Sequence, residues 1–512
     1  VHARPGRAPP GGQPPFIAGE MDEEASSPSV PPLPHDVLVH VLSAAGPGAW
    51  SPASEVCVSW CAAARACWTT ITHIVVESPG GSDGDSVRAH VSTHGDSTDP
   101  VVTAEAFLVL RSGTNTEGDV DVADLERLLD LTPHVRALCL SGVRLGGALA
   151  CERGPELELH PSDALLALVV HIARRCTRLR ALALRQCSGS ALVPPPPLDD
   201  GSSAPAEQLN SAGADDEADV TASDLTLATV SETLWELQLC HMDGLSRAGA
   251  RWLLRRCPAL RALDVSWSDT DLGCLDALPP SIESLDCAGC FALGEPEVRP
   301  LIASAAHAGL VHLSLPTGMP LAVALDACRA LPRLRVLTCV GAYSDRGAPV
   351  LDIAHAELRT LNLSALLLNH ACRLEMRCPK IVSLDVHQDP FVFEGLAAIV
   401  LFDAQHLEAL DVRWNARAAL LAGCALPGLH TLLLEGCTSF SAAALYAIVQ
   451  RAPCLAQLEM GECDGLRAEP ALFALAFAHA LRASPGLRYT LPSGVQGVGL
   501  EVPPSSLDAS FP

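Results

Sequence analysis

From residue 135 onward the chain repeats one spacing: an apolar residue, two variable residues, a leucine, one variable residue and a second apolar residue. Copies stand at Val135/Leu138/Leu140, Leu179/Leu182/Leu184, Leu234/Leu237/Leu239, Leu260/Leu263/Val265, Ile282/Leu285/Cys287 and Leu310/Leu313/Leu315. They continue at Leu334/Leu337/Cys339, Leu358/Leu361/Leu363, Ile381/Leu384/Val386, Leu407/Leu410/Val412, Leu429/Leu432/Leu434 and Leu455/Leu458/Met460. From Leu234 the copies recur every ~22–28 residues, and a fixed period in that window marks a repeat architecture. The end of each copy alternates with period two, as a strand with one buried face requires. Residues 441–451 instead place Ala444, Leu445, Ile448 and Val449 at helical spacing. Each unit therefore predicts strand, turn, helix, with proline ending the helix because it lacks an N–H and disfavours helix in the residue before it. One unit buries too little alone, so neighbours stack into a curved α/β solenoid, parallel sheet inside and helices outside.

The pattern divides the chain into six segments. Residues 1–29 read as a disordered tail, and 30–70 as a compact apolar unit with three of the seven tryptophans. Residues 71–187 hold the first repeats, with a Gly/Ser/Asp loop insert near 78–100. Residues 188–224 form an acidic, proline-rich insert containing Pro194–Pro197 and Asp215, Asp216 and Glu217, expected to be mobile because it has little to bury. The main array runs over 225–491, and 492–512 is a C-terminal tail. Met21 is a candidate start of the natural chain.

Composition narrows the function. Hydrophobic residues make up 49% of the 512 but aromatics only 4%, so leucine, alanine and valine must build thin stacked layers. A formal charge of −25 speaks against a nucleic-acid binder and for a basic protein partner. No apolar run approaches the ~20 residues of a membrane span, and residues 1–20 lack a secretory apolar stretch, so a cytoplasmic or nuclear protein is expected. The twenty cysteines then read as reduced, small core residues.

Two family resemblances refine this picture. Three residues past the second apolar position stand Cys187, Cys290, Cys437 and Cys463, replaced elsewhere by Met242, Ser268, Leu366, Asp389 or Asn415. This resembles the cysteine-containing leucine-rich repeat, whose unit ends a helix with Cys-Pro; Cys257-Pro258 and Cys378-Pro379 fit, and Pro453-Cys454 is a variant. Near the N-terminus, Leu33-Pro34-His35-Asp36-Val37-Leu38 is followed by Val41 and Leu42, then by Val56-Cys57-Val58-Ser59-Trp60 and Trp68. That order and spacing resemble the F-box, a small three-helix unit. The resemblance implies that Leu33, Pro34, Val37, Leu38, Val41, Leu42, Val56 and Cys57 serve the adaptor of a cullin-RING ubiquitin ligase. It implies that Trp60 and Trp68 mainly hold the helices together. Read physically, Pro34 suits a first helical turn, Asp36 suits the helix dipole, and Val37, Leu38, Val41 and Leu42 form one apolar stripe. The alternative is a non-catalytic repeat scaffold or inhibitor whose N-terminal helices cap the array.

Candidate chemistry is sparse. Lys380 is the single lysine and lies outside any Gly-Lys-Ser/Thr motif, so a Walker A loop is excluded. Cys287 and Cys290 fall on core positions, and the eighteen histidines form no metal-spaced pair, so no catalytic residue, metal or cofactor is expected. The Asn362-Leu363-Ser364 sequon falls inside a predicted strand. The residue between the two strand apolars faces the concave side, where Asp264, Asp286, Asp385, Asp411 and Glu459 make an acidic ladder suited to a basic target. Trp267 and Trp414, the latter beside Arg413, follow two of these strands as candidate interface anchors or as packing under the ascending loops.

Overall fold

The computed structural model describes residues 73–77, 88–92 and 108–109 and, apart from short gaps, 119–146, 164–187 and 232–492. The F-box-like segment 30–70, the tail 1–29, the acidic insert and residues 493–512 lie outside the described residues.

The central leucine of every copy falls in one register. Leu138 pairs with Leu182, Leu182 with Leu237, and the row continues through Leu263, Leu285, Leu313, Leu337, Leu361, Leu384, Leu410, Leu432 and Leu458. These pairings build a 16-stranded sheet that is parallel from Tyr489 back to Ile74. Every leucine in the row is at most 2% exposed, while the residues on either side are half-buried in most strands. Period-two alternation therefore gives the sheet one buried and one open face. Burying a leucine stabilises by about 1.5–3 kcal/mol, so the row is a repeated term in the solenoid's stability.

Helices Ala164–Arg175, Arg247–Arg255, Glu295–Ala303, Leu321–Ala330 and Ala442–Val449 carry the chain back behind the sheet. The last begins where Ser441 accepts a hydrogen bond from the Ala444 N–H at 3.2 Å, and it buries Leu445, Ile448 and Val449 in the common core. Cys257-Pro258 follows its helix as expected.

Four units in the middle differ. Their return segments are strands, Val350–Ala354, Cys372–Arg377, Leu396–Leu401 and Ala419–Ala422, which form a second parallel sheet. Leu351 stands beside Leu374 and Ile353 beside Met376, all buried, with charged Asp352, Arg373, Glu375 and Arg377 between them. Cys378-Pro379 thus ends a strand, correcting the expected helix end. An extended segment rises ~3.3 Å per residue against 1.5 Å in a helix, so it crosses the same layer with fewer residues.

The segment expected as a loop near 78–100 also contains structure. Arg88–Ser92 pairs antiparallel with His73–Glu77, His73 opposite Ser92, and Leu108–Val109 extends this end of the sheet. A strand-capable alternation, Ala89 and Val91 between Arg88, His90 and Ser92, outweighs the surrounding Gly/Ser composition.

A ladder of buried side-chain donors ties unit to unit. Cys290 Sγ donates to the Val265 carbonyl at 2.9 Å, Cys437 Sγ to Val412 at 3.1 Å, Cys463 Sγ to Leu434 at 2.9 Å and Cys187 Sγ to Leu140 at 3.4 Å. Ser268 Oγ reaches the Leu239 carbonyl at 2.5 Å and Asn415 Nδ2 the Val386 carbonyl at 2.8 Å from the same position. Each rung gives a carbonyl of the preceding unit a side-chain donor; the Val265, Val412 and Leu434 carbonyls also accept the N–H three residues on, at 3.3, 3.3 and 3.0 Å. Burial pushes the Cys290 thiol up to about 11 and the Cys463 thiol to about 12, so both remain donors at neutral pH. In the unit after Val386 the buried position belongs to Gln388, while Asp389 is exposed, which corrects its assignment as the cysteine's replacement.

Candidate interaction face

In a parallel sheet all strands begin at one edge and end at the other, so the open face has two chemically distinct borders. The border where strands end carries the acidic ladder. Asp264 accepts a hydrogen bond from the Ser266 N–H at 3.0 Å, Asp286 from Ala288 at 2.9 Å, Asp385 from His387 at 3.1 Å and Asp411 from Arg413 at 3.1 Å. Asn362 does the same for Ser364 at 2.9 Å. These carboxylates close the turn that leaves each strand, a local bond that Asp and Asn make readily.

The second oxygens of Asp264 and Asp411 are also engaged. Cys240 Sγ donates to Asp264 Oδ2 at 2.9 Å, and the Arg413 guanidinium reaches Asp411 Oδ2 at 2.7 Å while its Nε lies 3.0 Å from Oδ1. His387 Nδ1 lies 2.7 Å from Asp385 and 3.8 Å from Asp411, so these side chains form one cluster in which Arg413 pairs with Asp411. Glu459 accepts from Gln457 Nε2 at 2.8 Å. Burial, opposed by the Ala288 N–H, holds the Asp286 carboxyl above its usual range.

The ladder is broken as well. Ser314, Thr338 and Asn362 occupy the rungs between Asp286 and Asp385, which stand four strand steps apart, or ~19 Å at ~4.8 Å per step. Leu433 separates Asp411 from Glu459. The structure therefore brings Asp264 together with Asp286, and Asp385 with Asp411, but does not unite the five in one acidic surface.

Two residues past the second apolar position the backbone turns left-handed in nearly every unit, at Gly142, Gln186, His241, Trp267, Gly289, Gly341, Ala365, Trp414, Gly436 and Glu462. Trp267, at φ 58°, and Trp414, at φ 61°, hold a conformation that a bulky residue adopts only at a cost of order 1–3 kcal/mol. Each ring lies over the glycine of the next unit: a Cβ on Gly289 would overlap the Trp267 ring, and one on Gly436 the Trp414 ring. The rings thus cover the turn column. Trp267 remains 53% exposed, stacked on His241 at 6.0 Å with Phe291 edge-on at 6.4 Å, while Trp414 is half-buried.

The border where strands begin is different, and the sequence reading passed over it. Arg180, Arg261, Arg335 and Arg359 each follow the first apolar residue of a copy, and all are exposed. Trp235 occupies the same position one unit after Arg180. The signal was visible as Leu-Arg recurring at Leu179, Leu260, Leu334 and Leu358.

Among the described residues, no helix is long and apolar enough to cross a membrane. The adaptor-type residues Leu33, Pro34, Val37, Leu38, Val41, Leu42, Val56, Cys57, Trp60 and Trp68 lie outside the described residues.

No protein-family model matches the chain, and no curated protein matches it in sequence. Among solved structures the chain is similar to one in the crystal structure of a TLR13–ssRNA13 complex, at 15% identity and TM-score 0.32, covering 65% of this chain and 40% of that one. It is also similar to one in the crystal structure of the Rad7 and Elc1 complex in yeast, at 11% identity and TM-score 0.31, covering 73% of this chain and 71% of that one. The chain therefore spans well under half the length of the first. Likenesses this distant carry no argument about function, and the protein is an α/β leucine-rich-repeat solenoid on the register of its own sheet.

Proposed function

We propose that this protein is the target-recognition subunit of a cullin-RING ubiquitin ligase. The observation that carries the proposal is the ordered motif from Leu33-Pro34 through Val56-Cys57 and Trp60 to Trp68, standing ahead of a repeat solenoid with an open sheet face. The stripe Leu33, Val37, Leu38, Val41 and Leu42 enters an apolar groove on the adaptor, as amphipathic helices do when they recognise a partner. The adaptor joins the chain to the cullin, and the open face of the solenoid holds a protein target.

On this reading the chain performs no bond-making of its own and needs no cofactor. Its contribution is proximity: it raises the effective concentration of target lysines around a ligase-bound ubiquitin carrier. The work takes place in the cytoplasm or nucleus, where the buried thiols stay reduced.

The test is co-purification of adaptor and cullin with the tagged full chain. The paired variant Leu33→Ala, Pro34→Ala should lose both while its circular dichroism matches the parent. Equal recovery from parent and variant, or recovery from neither, overturns the proposal.

A further inference from the structure

The border where strands begin combines three features in a chain whose formal charge is −25. First, Arg180, Arg261, Arg335 and Arg359 sit on a fixed backbone. The Arg335 carbonyl, for example, accepts from the Arg359 N–H at 2.8 Å and the Thr360 N–H at 2.9 Å, and the Arg261 carbonyl from Glu283 and Ser284 at 2.7 and 2.9 Å. Second, Trp235 is 43% exposed in the same column, with the Arg180 guanidinium 4.8 Å and the Arg261 guanidinium 5.3 Å from its ring. Third, a groove of about 540 Å³ follows, lined by Arg261, Ser284, His312, Arg333, Arg335 and Glu357 among others.

The carboxylates in that groove are already matched. Glu283 lies 3.8 Å from Arg261, and Glu357 accepts from Lys380 Nζ at 2.6 Å. The Lys380 hydrogen bond, with Arg335 and Arg359 nearby, holds the Glu357 carboxyl below its usual range. Arg333, Arg335 and Arg359 form no ion pair among the described residues, so the groove keeps unneutralised positive charge.

We propose that this border, from Arg180 to Arg359, docks an extended acidic segment of a partner protein. Guanidinium groups bind carboxylates in bidentate pairs, and tryptophan and arginine are the residue types most enriched at the energetic centres of interfaces. Arg335 and Arg359 stand on adjacent strands, whereas Arg261 lies three strand steps, ~14 Å, from Arg335 across Glu283 and Val311. Alternate side chains of an extended peptide recur every ~6.6 Å along one face, so two such intervals span Arg261 to Arg335 with a small lateral shift. Charge complementarity selects an acidic partner here, while at the strand-end border the carboxylates stand in separated pairs, Asp264 with Asp286 and Asp385 with Asp411, the second partly offset by Arg413. A protein segment is favoured over a nucleic acid because its carboxylates can be spaced by uncharged residues to match the few arginines, whereas a polyphosphate brings a charge at every nucleotide to a strongly negative molecule. The proposal rests on reading the open face as the partner surface and is independent of the adaptor motif, whose test reads co-purification instead.

The experiment is fluorescence anisotropy of a labelled ten-residue glutamate peptide with the purified full chain. Binding should saturate, and its affinity should fall at least about fivefold between about 50 and about 300 mM salt. Arg261→Glu with Arg335→Glu should weaken it at least about tenfold, and Trp235→Ala, which leaves net charge unchanged, at least about threefold. Arg251→Glu with Arg329→Glu, an equal charge change on the helices behind the sheet, should alter it less than about twofold. Circular dichroism verifies that each variant is folded. Equal weakening by the two charge-reversed pairs overturns the proposal, as does tighter binding of a ten-residue lysine peptide or of a thymidine oligonucleotide. Peptide binding that appears only after Asp215, Asp216 and Glu217 are changed to amides makes the chain's own acidic insert the occupant and overturns the assignment to a partner.

Discussion

Asn415 offers the sharpest test of how the units are joined. It is fully buried, and its Nδ2 donates to the Val386 carbonyl at 2.8 Å and to the Val412 carbonyl at 3.1 Å. Its Oδ1 is buried and finds no donor among the described residues. Asn415→Ala removes the donor and strands the Val386 carbonyl in the core, costing about 1–3 kcal/mol, to which a small cavity adds about 1 kcal/mol. Asn415→Cys behaves differently. A thiol at this position reaches the same carbonyl in the units of Cys290 and Cys437, at 2.9 and 3.1 Å. Both changes remove the Oδ1, which meets no donor among the described residues, so that contribution cancels when the two variants are compared. Asn415→Cys should therefore lie within about 1 kcal/mol of the parent or above it, and Asn415→Ala about 2–4 kcal/mol below Asn415→Cys. Urea titration followed by circular dichroism measures both, and hydrogen exchange of the 386–415 amides localises the loss. Equal stability of the two variants, or a Cys variant weaker than the Ala variant, refutes the donor ladder as a source of unit-to-unit stability.

Three further outcomes are expected. Leu432→Ala should cost about 2–5 kcal/mol, with faster hydrogen exchange spreading to the strands of Leu410 and Leu458; exchange confined to one unit contradicts shared stability. Burial raises the folded-state pKa of Asp286 above its unfolded value, so its contribution favours folding below the unfolded pKa and is lost as pH rises through the folded one. Asp286→Asn keeps the acceptor for the Ala288 N–H and should raise Tm at pH 7.5 with a smaller gain near pH 4, whereas a fall in Tm at pH 7.5 contradicts this. Lys380 is the one lysine and its side chain is 48% exposed, so Lys380→Arg should remove most self-attached ubiquitin in a reconstituted ligase; an undiminished mass-spectrometric signal opposes it.

The sheet was legible in the sequence because one buried leucine per unit fixes both period and face, and Leu263, Leu337 and Leu432 all stand where their spacing puts them. Cys187, Cys290, Cys437 and Cys463 were legible as core for the same reason. The return segments were less so. Helical spacing at residues 444–449 was carried over to every unit, although Leu351/Ile353 and Leu374/Met376 alternate with the period of a strand. The acidic positions were located correctly, but a residue type on an open face does not disclose its hydrogen-bond partner, and here the partner is the turn two residues on. The left-handed column was hidden because glycine, tryptophan, glutamine and alanine share it, imposed by the stacking of units and not by local preference. The arginine border required knowing that every strand begins at one edge, which only the assembled sheet displays.

The proposed function requires the N-terminal stripe to bury itself on a ligase adaptor. Isothermal titration of purified adaptor into the full chain at several temperatures measures this directly. The predicted result is one site per chain with a negative heat-capacity change, the mark of apolar surface leaving water, and its loss in Leu38→Asp. Absence of binding heat at every temperature, or binding that Leu38→Asp leaves intact, contradicts the claim.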